Sequence, residues 1–531
     1  MIRLHFYYCL IVFLCAACQN SSSQKKTTQQ LNLSIHSEPP SLDPRRATDT
    51  TSISVITMCF EGLTRPGPEG KAILALAKEY SVSEDKKTYH FFLRDAVWSD
   101  GVPVTAYDFE STWRTNLDPN FPCEFGYDLY VLKNGKLAKE NKCPTTDIGV
   151  KALDAHTLEI ELEHPVPYLL ELLASHSFLV CPSHITSKYS NWADHAGAHY
   201  IGNGPFKILK WRHSYEIILG RNETYWDADS VRLDRINLAM IEDENTELNM
   251  FENDQLDWAG NPLSSLPADA LQALSKKTKL FKYPMSGTYY YVFNTKQFPF
   301  DNKHFRKAFS LAINRQEIIE NITQSGQIPA TGLVPPTLWK GKPDYFKDAD
   351  VEEAKQYFDL ALEEMRIKAE DLPEITLSYN TMQAHHKIAQ AIQEQWFEAF
   401  GIRVKLQNKE WKVFLDELHH HQFQVARLGG IASFADPTSF LDDFRYENSK
   451  RNFSSWTNPQ FSKLLEQVDF TIDEKERVEL MKSAETILID DMPIAPIYFY
   501  SGTYLKKSYV QGFYLTDLNE IDFRSAYIEK R

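Results

Sequence analysis

Histidine is the side chain best suited to holding a metal or moving a proton near neutral pH, and the chain clusters it twice, at His385-His386 and His419-His420-His421. Consecutive positions on a helix fan out around its axis, whereas residues sharing one metal sit at i and i+4 or i+3 on one face. Both clusters therefore read as solvated helix ends, and no metal is expected. Asp442-Asp443 and Asp490-Asp491 have the residue type for acid/base work. Adjacent acids are, however, ordinary in solvated turns and helices. The sequence has no Gly-x-Ser-x-Gly elbow, no His-Glu-x-x-His pair, no phosphate loop and no Gly-x-Gly-x-x-Gly fingerprint. Absence of these motifs does not by itself exclude an enzyme, but no residue is singled out as catalytic and no cofactor is expected.

Chemistry at the N-terminus is of another kind. The apolar run Leu4–Ala17 follows Arg3 and gives way to polar residues from Gln19, the pattern of a secretory signal too short for a permanent span. It closes on Leu14-Cys15-Ala16-Ala17-Cys18, which resembles a bacterial lipobox with Cys18 as the lipidated residue. Residues 1–17 are then a signal peptide and 18–30 a polar, flexible tether. Cys59, Cys123, Cys143 and Cys181 would remain in the mature chain. They form no Cys-x-x-Cys, so a zinc cluster is not expected, and both disulfides and free thiols stay open.

The elements that must position any site are α/β in pattern. Leu31, Leu33 and Ile35 alternate with polar residues as in a strand, and Glu38-Pro39-Pro40 breaks it. Leu158, Ile160 and Leu162 mark another strand. A strand through Ile236, Leu238 and Met240, a helix from about Glu242 to Asn253, and Leu256-Asp257-Trp258 suggest one compact β-α-β unit. Ile375–Tyr379 reads as a strand. Ile388, Ile392, Trp396 and Phe400 then mark one helical face, Gly401 caps it, and Ile402-Val404-Leu406 alternates again. At 531 residues the chain needs more than one lobe, yet no Pro/Gly-rich linker divides it. The formal charge of -15 argues against nucleic acid, which needs a basic surface.

From Ser34 onward the sequence resembles the extracellular solute-binding family that serves peptide and nickel ABC importers, especially its oligopeptide-binding branch. The most specific stretch is Tyr89-His90-Phe91-Phe92-Leu93-Arg94-Asp95-Ala96-Val97-Trp98-Ser99-Asp100-Gly101, followed by Pro103-Val104-Thr105-Ala106 and Asp108-Phe109. A strand rising to Trp98, a turn at Ser99-Asp100-Gly101 and a helix capped by Thr105 account for it. Further matches are Asn203-Gly204-Pro205-Phe206, Thr288-Tyr289-Tyr290-Tyr291, Asn408–Lys412, Val425-Ala426-Arg427 and Pro437–Leu441. The resemblance implies a periplasmic-binding-protein type II fold with mixed β-sheets, two lobes around a ligand cleft, and an extra small domain. It divides the chain into lobe I (31–52, 182–285 and 505–531), the extra domain (53–181) and lobe II (286–504). It also implies a peptide held as an added strand, with side chains in roomy, hydrated pockets.

Carried over residue by residue, the resemblance sets Glu38, Tyr289, Tyr291, His385, Trp411, Arg427, Ser433 and Phe434 at the ligand. Arg427 would answer a carboxylate or brace the groove, and His385 would meet the carboxyl end of longer peptides. The departure that matters is Ser433. The branch carries there, six residues past the arginine, an aspartate that pairs with the ligand's α-amino group; Glu38 and Asp436 are the carboxylates that could replace it. Gly430 stands for the branch's tryptophan, Ile431 for one cysteine and Ser286 or Gly287 for the other, so the branch's disulfide cannot form. The expected function is a lipid-anchored, exported, monomeric binding subunit that delivers short peptides to ABC permease and ATPase subunits at a bacterial membrane. The alternatives are the same fold on an N-blocked or modified peptide, nickel or haem, and a lipoprotein of adhesion or signalling.

Overall fold

Alternation puts Leu31, Leu33 and Ile35 of the strand Gln30–Ile35 wholly inside. This strand pairs in parallel with Arg235–Met240, Leu33 opposite Leu238, and the antiparallel strands Glu216–Arg221 and Phe206–Arg212 complete a four-stranded sheet. The computed structural model describes residues 29–530 except 68–70, 278, 340, 342–343, 448 and 450. Cys18, the 1–17 signal peptide and nearly all of the 18–30 tether therefore lie outside the described residues.

A second, antiparallel sheet runs in the order Ala77–Val82, Thr88–Leu93, Thr157–Glu161, Val150–Ala152. Its signature stretch ends as a strand at Leu93, earlier than Trp98, which is buried in the turn beyond and donates its backbone N–H to Val102 O at 2.7 Å. The helix Ala106–Asn116 starts after Thr105, whose backbone N–H donates to the Asp108 carboxylate at 2.8 Å. Trp113 and Phe109 of this helix fill the core beneath it.

The largest sheet has seven strands. Trp258–Gly260, Ile494–Lys506, Phe281–Phe293, Val425–Ile431, Thr376–Asn380 and Lys405–Lys409 follow one another, and Ile328–Pro329 adds to Ile494–Lys506. Its two central strands are 13 residues each and pair antiparallel, with a register irregularity between Pro284 and Thr288. On one side of that irregularity Phe281, Tyr283 and Tyr504 pack with the core that contains Leu33, Phe91 and Trp113. On the other, Tyr289, Val292, Ile494 and Ile497 belong to a separate core with Phe309, Trp396 and Phe461. The two strands thus join two cores, and the proposed lobe boundaries at 285/286 and 504/505 fall within them.

The expected compact β-α-β unit does not form. Its helix is present as Glu244–Glu252, capped by Asp243, but Trp258–Gly260 pairs with Ile494–Lys506 instead of lying beside Arg235–Met240. Trp258 stacks on Tyr504 with 4.2 Å between centroids and 4° between planes, so burial of that aromatic pair sends the strand to the larger sheet. Elsewhere the periodic reading holds. The helix Gln383–Phe400 buries Ile388, Ile392 and Trp396 and ends on Gly401 at φ +71°, although the strand after it begins at Lys405 rather than Ile402. Asn203 fixes the loop after the second sheet by bonding both the N–H and C=O of Glu61 at 2.9 Å. A Cβ at Gly204 would fall 2.6 Å from the Cys59 carbonyl carbon, so only glycine admits this approach. Cys59, Cys123, Cys143 and Cys181 are all free thiols.

Candidate ligand cleft

The strand Val425–Ile431 runs from the second core, where Val425 and Ala426 are buried, and carries Arg427. The Arg427 guanidinium donates to Asn380 Oδ1 at 3.4 Å and to the Tyr500 hydroxyl at 3.3 Å, and it lies 4.7 Å from the Tyr289 ring centroid. All of these groups are neutral. No carboxylate pairs with Arg427 among the described residues, and its Nε is buried without a hydrogen-bond partner. His385 stands behind Tyr289, whose hydroxyl is 3.2 Å from Nδ1. Burial, and then the Arg427 charge, push the His385 imidazole down to about 3, so it is neutral at physiological pH. Tyr289 and Tyr291 are fully buried, with rings edge to face at 6.0 Å. They therefore offer the ligand no surface in this conformation; they are the floor on which Arg427 rests.

Past Ile431 the chain turns through Ser433, whose backbone N–H donates to Ser439 Oγ at 2.9 Å. Ser433 lines a small, partly open cavity with Pro66, Glu171, Ala174, Leu518 and Glu520. These walls come from three remote stretches of the chain. A second cavity shares Pro66, Ala174 and Glu520 with the first and continues along Thr57, Arg65, Tyr514 and Arg524. Phe434 is 9% exposed and lies flat on Tyr168. Gly287 is the cross-strand partner of Ile431, and the Ser286 carbonyl accepts from the Ala432 N–H at 2.8 Å.

The two carboxylates considered as replacements for the missing aspartate are both engaged. Glu38 accepts hydrogen bonds from Trp211 Nε1 at 2.9 Å, His213 Nδ1 at 2.8 Å and the Ser214 backbone N–H at 2.5 Å. Asp436 is buried and held by both terminal nitrogens of Arg477, at 2.6 and 2.8 Å. Trp411 begins the helix Trp411–His419 and is 47% exposed. His385 and His386 bond different tyrosines, Tyr289 and Tyr379, while His420 and His421 bond backbone oxygens of Asp416 and Phe453. The acidic pairs also have separate partners: Asp442 faces Arg445, Asp443 faces Arg451, Asp490 takes Lys307, and Asp491 accepts from Trp456 and Asn458. Sequence reading missed Asn380, Tyr500, Tyr168, Glu171 and Glu520. Alternating aromatics in Tyr498-Phe499-Tyr500 carried a signal for one of them; the others have no local pattern.

Two cores joined by paired strands, with a cavity that Ser433 and Ala435 share with Pro66, Glu171 and Glu520, define a type II periplasmic-binding-protein fold, the architecture of solute-binding proteins. The chain belongs to the bacterial extracellular solute-binding proteins, family 5, whose model matches residues 71–452. It is 45% identical over 513 residues to the oligopeptide-binding protein OppA of Bacillus subtilis, covering 96% of this chain and 94% of that one. Identity to the periplasmic oligopeptide-binding protein OppA of Salmonella typhimurium is 34% over 510 residues, 93% of this chain and 91% of the other. The solved structure of the Escherichia coli murein tripeptide binding protein MppA aligns with a TM-score of 0.83 at 30% identity, over 95% of this chain and 99% of that. The complex of Haemophilus influenzae OppA with the peptide RPPGFSPFR gives 0.82 at 29% identity, over 95% and 99%.

Proposed function

We propose that this protein captures short peptides between its lobes and delivers them to the permease and ATPase subunits of an ABC importer, without chemistry on the ligand. The observation that carries the reading is Arg427, a largely buried guanidinium held only by neutral groups. A charge kept from water without a counter-ion is costly, and a ligand carboxylate would supply that counter-ion. The neutral imidazole of His385 adds a polar group nearby without a second positive charge. The relatives named for oligopeptides and a murein tripeptide support the same ligand class.

The protein acts as a monomer at the outer face of a bacterial membrane, tethered through lipidated Cys18. No helix of the described residues is long and apolar enough to cross a membrane, so a single acyl-bearing residue is the attachment proposed. Calorimetric titration of the mature protein with a broad library of three- to five-residue peptides tests the central claim. Saturable binding with compaction in small-angle scattering is expected, and the absence of any binder would overturn it. Cys18→Ala should release the protein from the membrane fraction while the body still folds.

A further inference from the structure

We infer that Glu520, assisted by Glu171, receives the cationic group at the leading end of the ligand, in the cavity where Ser433 supplies no charge. The inference rests on the peptide reading above and names the group that reads one end of that ligand.

Glu520 is a wall of both cavities and Glu171 a wall of the one that contains Ser433. Neither carboxylate has a hydrogen bond or ion pair among the described residues. Their neighbours differ: Glu61, in the adjoining cavity, is held by Arg65, Tyr225 and Trp226, and Asp436 by Arg477. In the same loop as Glu520, Asp517 Oδ1 is buried with no hydrogen-bond partner. Burial, then the nearby Asp522 and Asp517, push the Glu520 carboxyl up to about 7. Such a group gains most from an incoming cation, because ionisation and pairing then reinforce each other. Arg524 offers no substitute, since its terminal nitrogen is turned to Glu61 and Asp522 at 3.3 and 3.5 Å. The cavity is therefore built for positive charge from the ligand, either an α-ammonium or the basic side chain of a first residue.

The test is calorimetry with Ala-Ala-Ala-Ala and Lys-Ala-Ala-Ala, each free and N-acetylated, on wild type, Glu520→Gln and Glu520→Gln/Ser433→Asp. For wild type, acetylation of the alanine peptide should weaken binding roughly tenfold to hundredfold, the range of a charge-assisted hydrogen bond. The lysine peptide should lose as much if the α-ammonium is read, and little if its side chain takes the site. Glu520→Gln should cut the discrimination to within about threefold, and adding Ser433→Asp should restore it. Wild type indifferent to acetylation in both peptides would overturn the inference without any variant, as would a folded Glu520→Gln protein that keeps the full preference. Binding by none of the four peptides would instead count against the peptide reading itself, and the inference would fall with it.

Discussion

The Phe434 ring lies on the Tyr168 ring with 4.9 Å between centroids and 3° between planes, although the two residues are 266 positions apart in the sequence. The Arg477 guanidinium lies 5.1 Å from the Tyr168 centroid while holding Asp436, so ring stack and ion pair form one contact between remote stretches of the chain. Arg451 makes a second such contact, donating to the Tyr127 hydroxyl at 3.2 Å. Neither contact lies in the long strands that join the two cores, and so both bear on how far the cleft opens.

Tyr168→Ala should shift the unliganded protein toward an open form. An aromatic pair contributes about 0.5–1.5 kcal/mol beyond the area it buries, so ligand affinity should fall up to about tenfold. Small-angle scattering should report a larger radius for the free variant, and an unchanged radius would show that the stack does not restrain opening.

Arg427→Gln should remove the anion receptor while leaving the peptide's other contacts. We expect peptides with a free terminal carboxylate to lose about 1.5–3 kcal/mol, and their C-amidated forms to bind the variant and wild type alike. Calorimetry of one peptide in both forms decides it; equal losses for both would mean that Arg427 only braces Tyr289 and Tyr500.

Gly430→Trp should fold, because a Cβ at that position meets nothing within 4 Å, in contrast to Gly429, where it would meet the Tyr500 hydroxyl at 2.4 Å. The indole would occupy space that is open here. Peptides with large side chains should lose affinity relative to alanine peptides, and a uniform loss across a peptide panel would mean that the open space does not serve ligand side chains.

Acid stability should depend on His176. Burial lowers its imidazole to about 4, its Nε2 has no hydrogen-bond partner among the described residues, and its ring stands on Phe125 at 4.5 Å. Its folded value lies below the unfolded one of about 6.5. The stability it contributes is therefore complete above that pH and is lost as pH falls toward 4, by up to about 1.4 kcal/mol per pH unit. Chemical denaturation of His176→Gln from pH 7 to 4 should show a shallower decline than wild type.

Local pattern carried much of this protein. Alternation in Leu31–Ile35 and Leu158–Leu162, and the four-residue recurrence from Ile388 to Phe400, marked elements whose inward faces are buried in the fold. Motif types also settled what is not present as a local signature: no nucleophile elbow or zinc-protease pair occurs in the chain. The residues quoted from Tyr89 to Phe109 pointed to the family that the model match then established. These features are legible because a helix or strand repeats its inward face every few residues, so one short window contains the whole signal.

Pairing between remote positions was not legible. Asp436 and Glu38 looked as available as any acid near Ser433, yet Arg477 claims the first from 41 residues away and His213 the second from 175. Glu520, 87 positions after Ser433 in the sequence, comes to the same cavity because the C-terminal segment packs back between the lobes. The Trp258 strand likewise chose its sheet through Tyr504, a contact that no window around either residue contains. The sequence by itself determined most of the elements and the family, and marked Ser433 as a departure from the branch it resembles. Only the tertiary structure decided which carboxylates are left without partners, because whether a charge is free depends on every group that folding brings within hydrogen-bond reach.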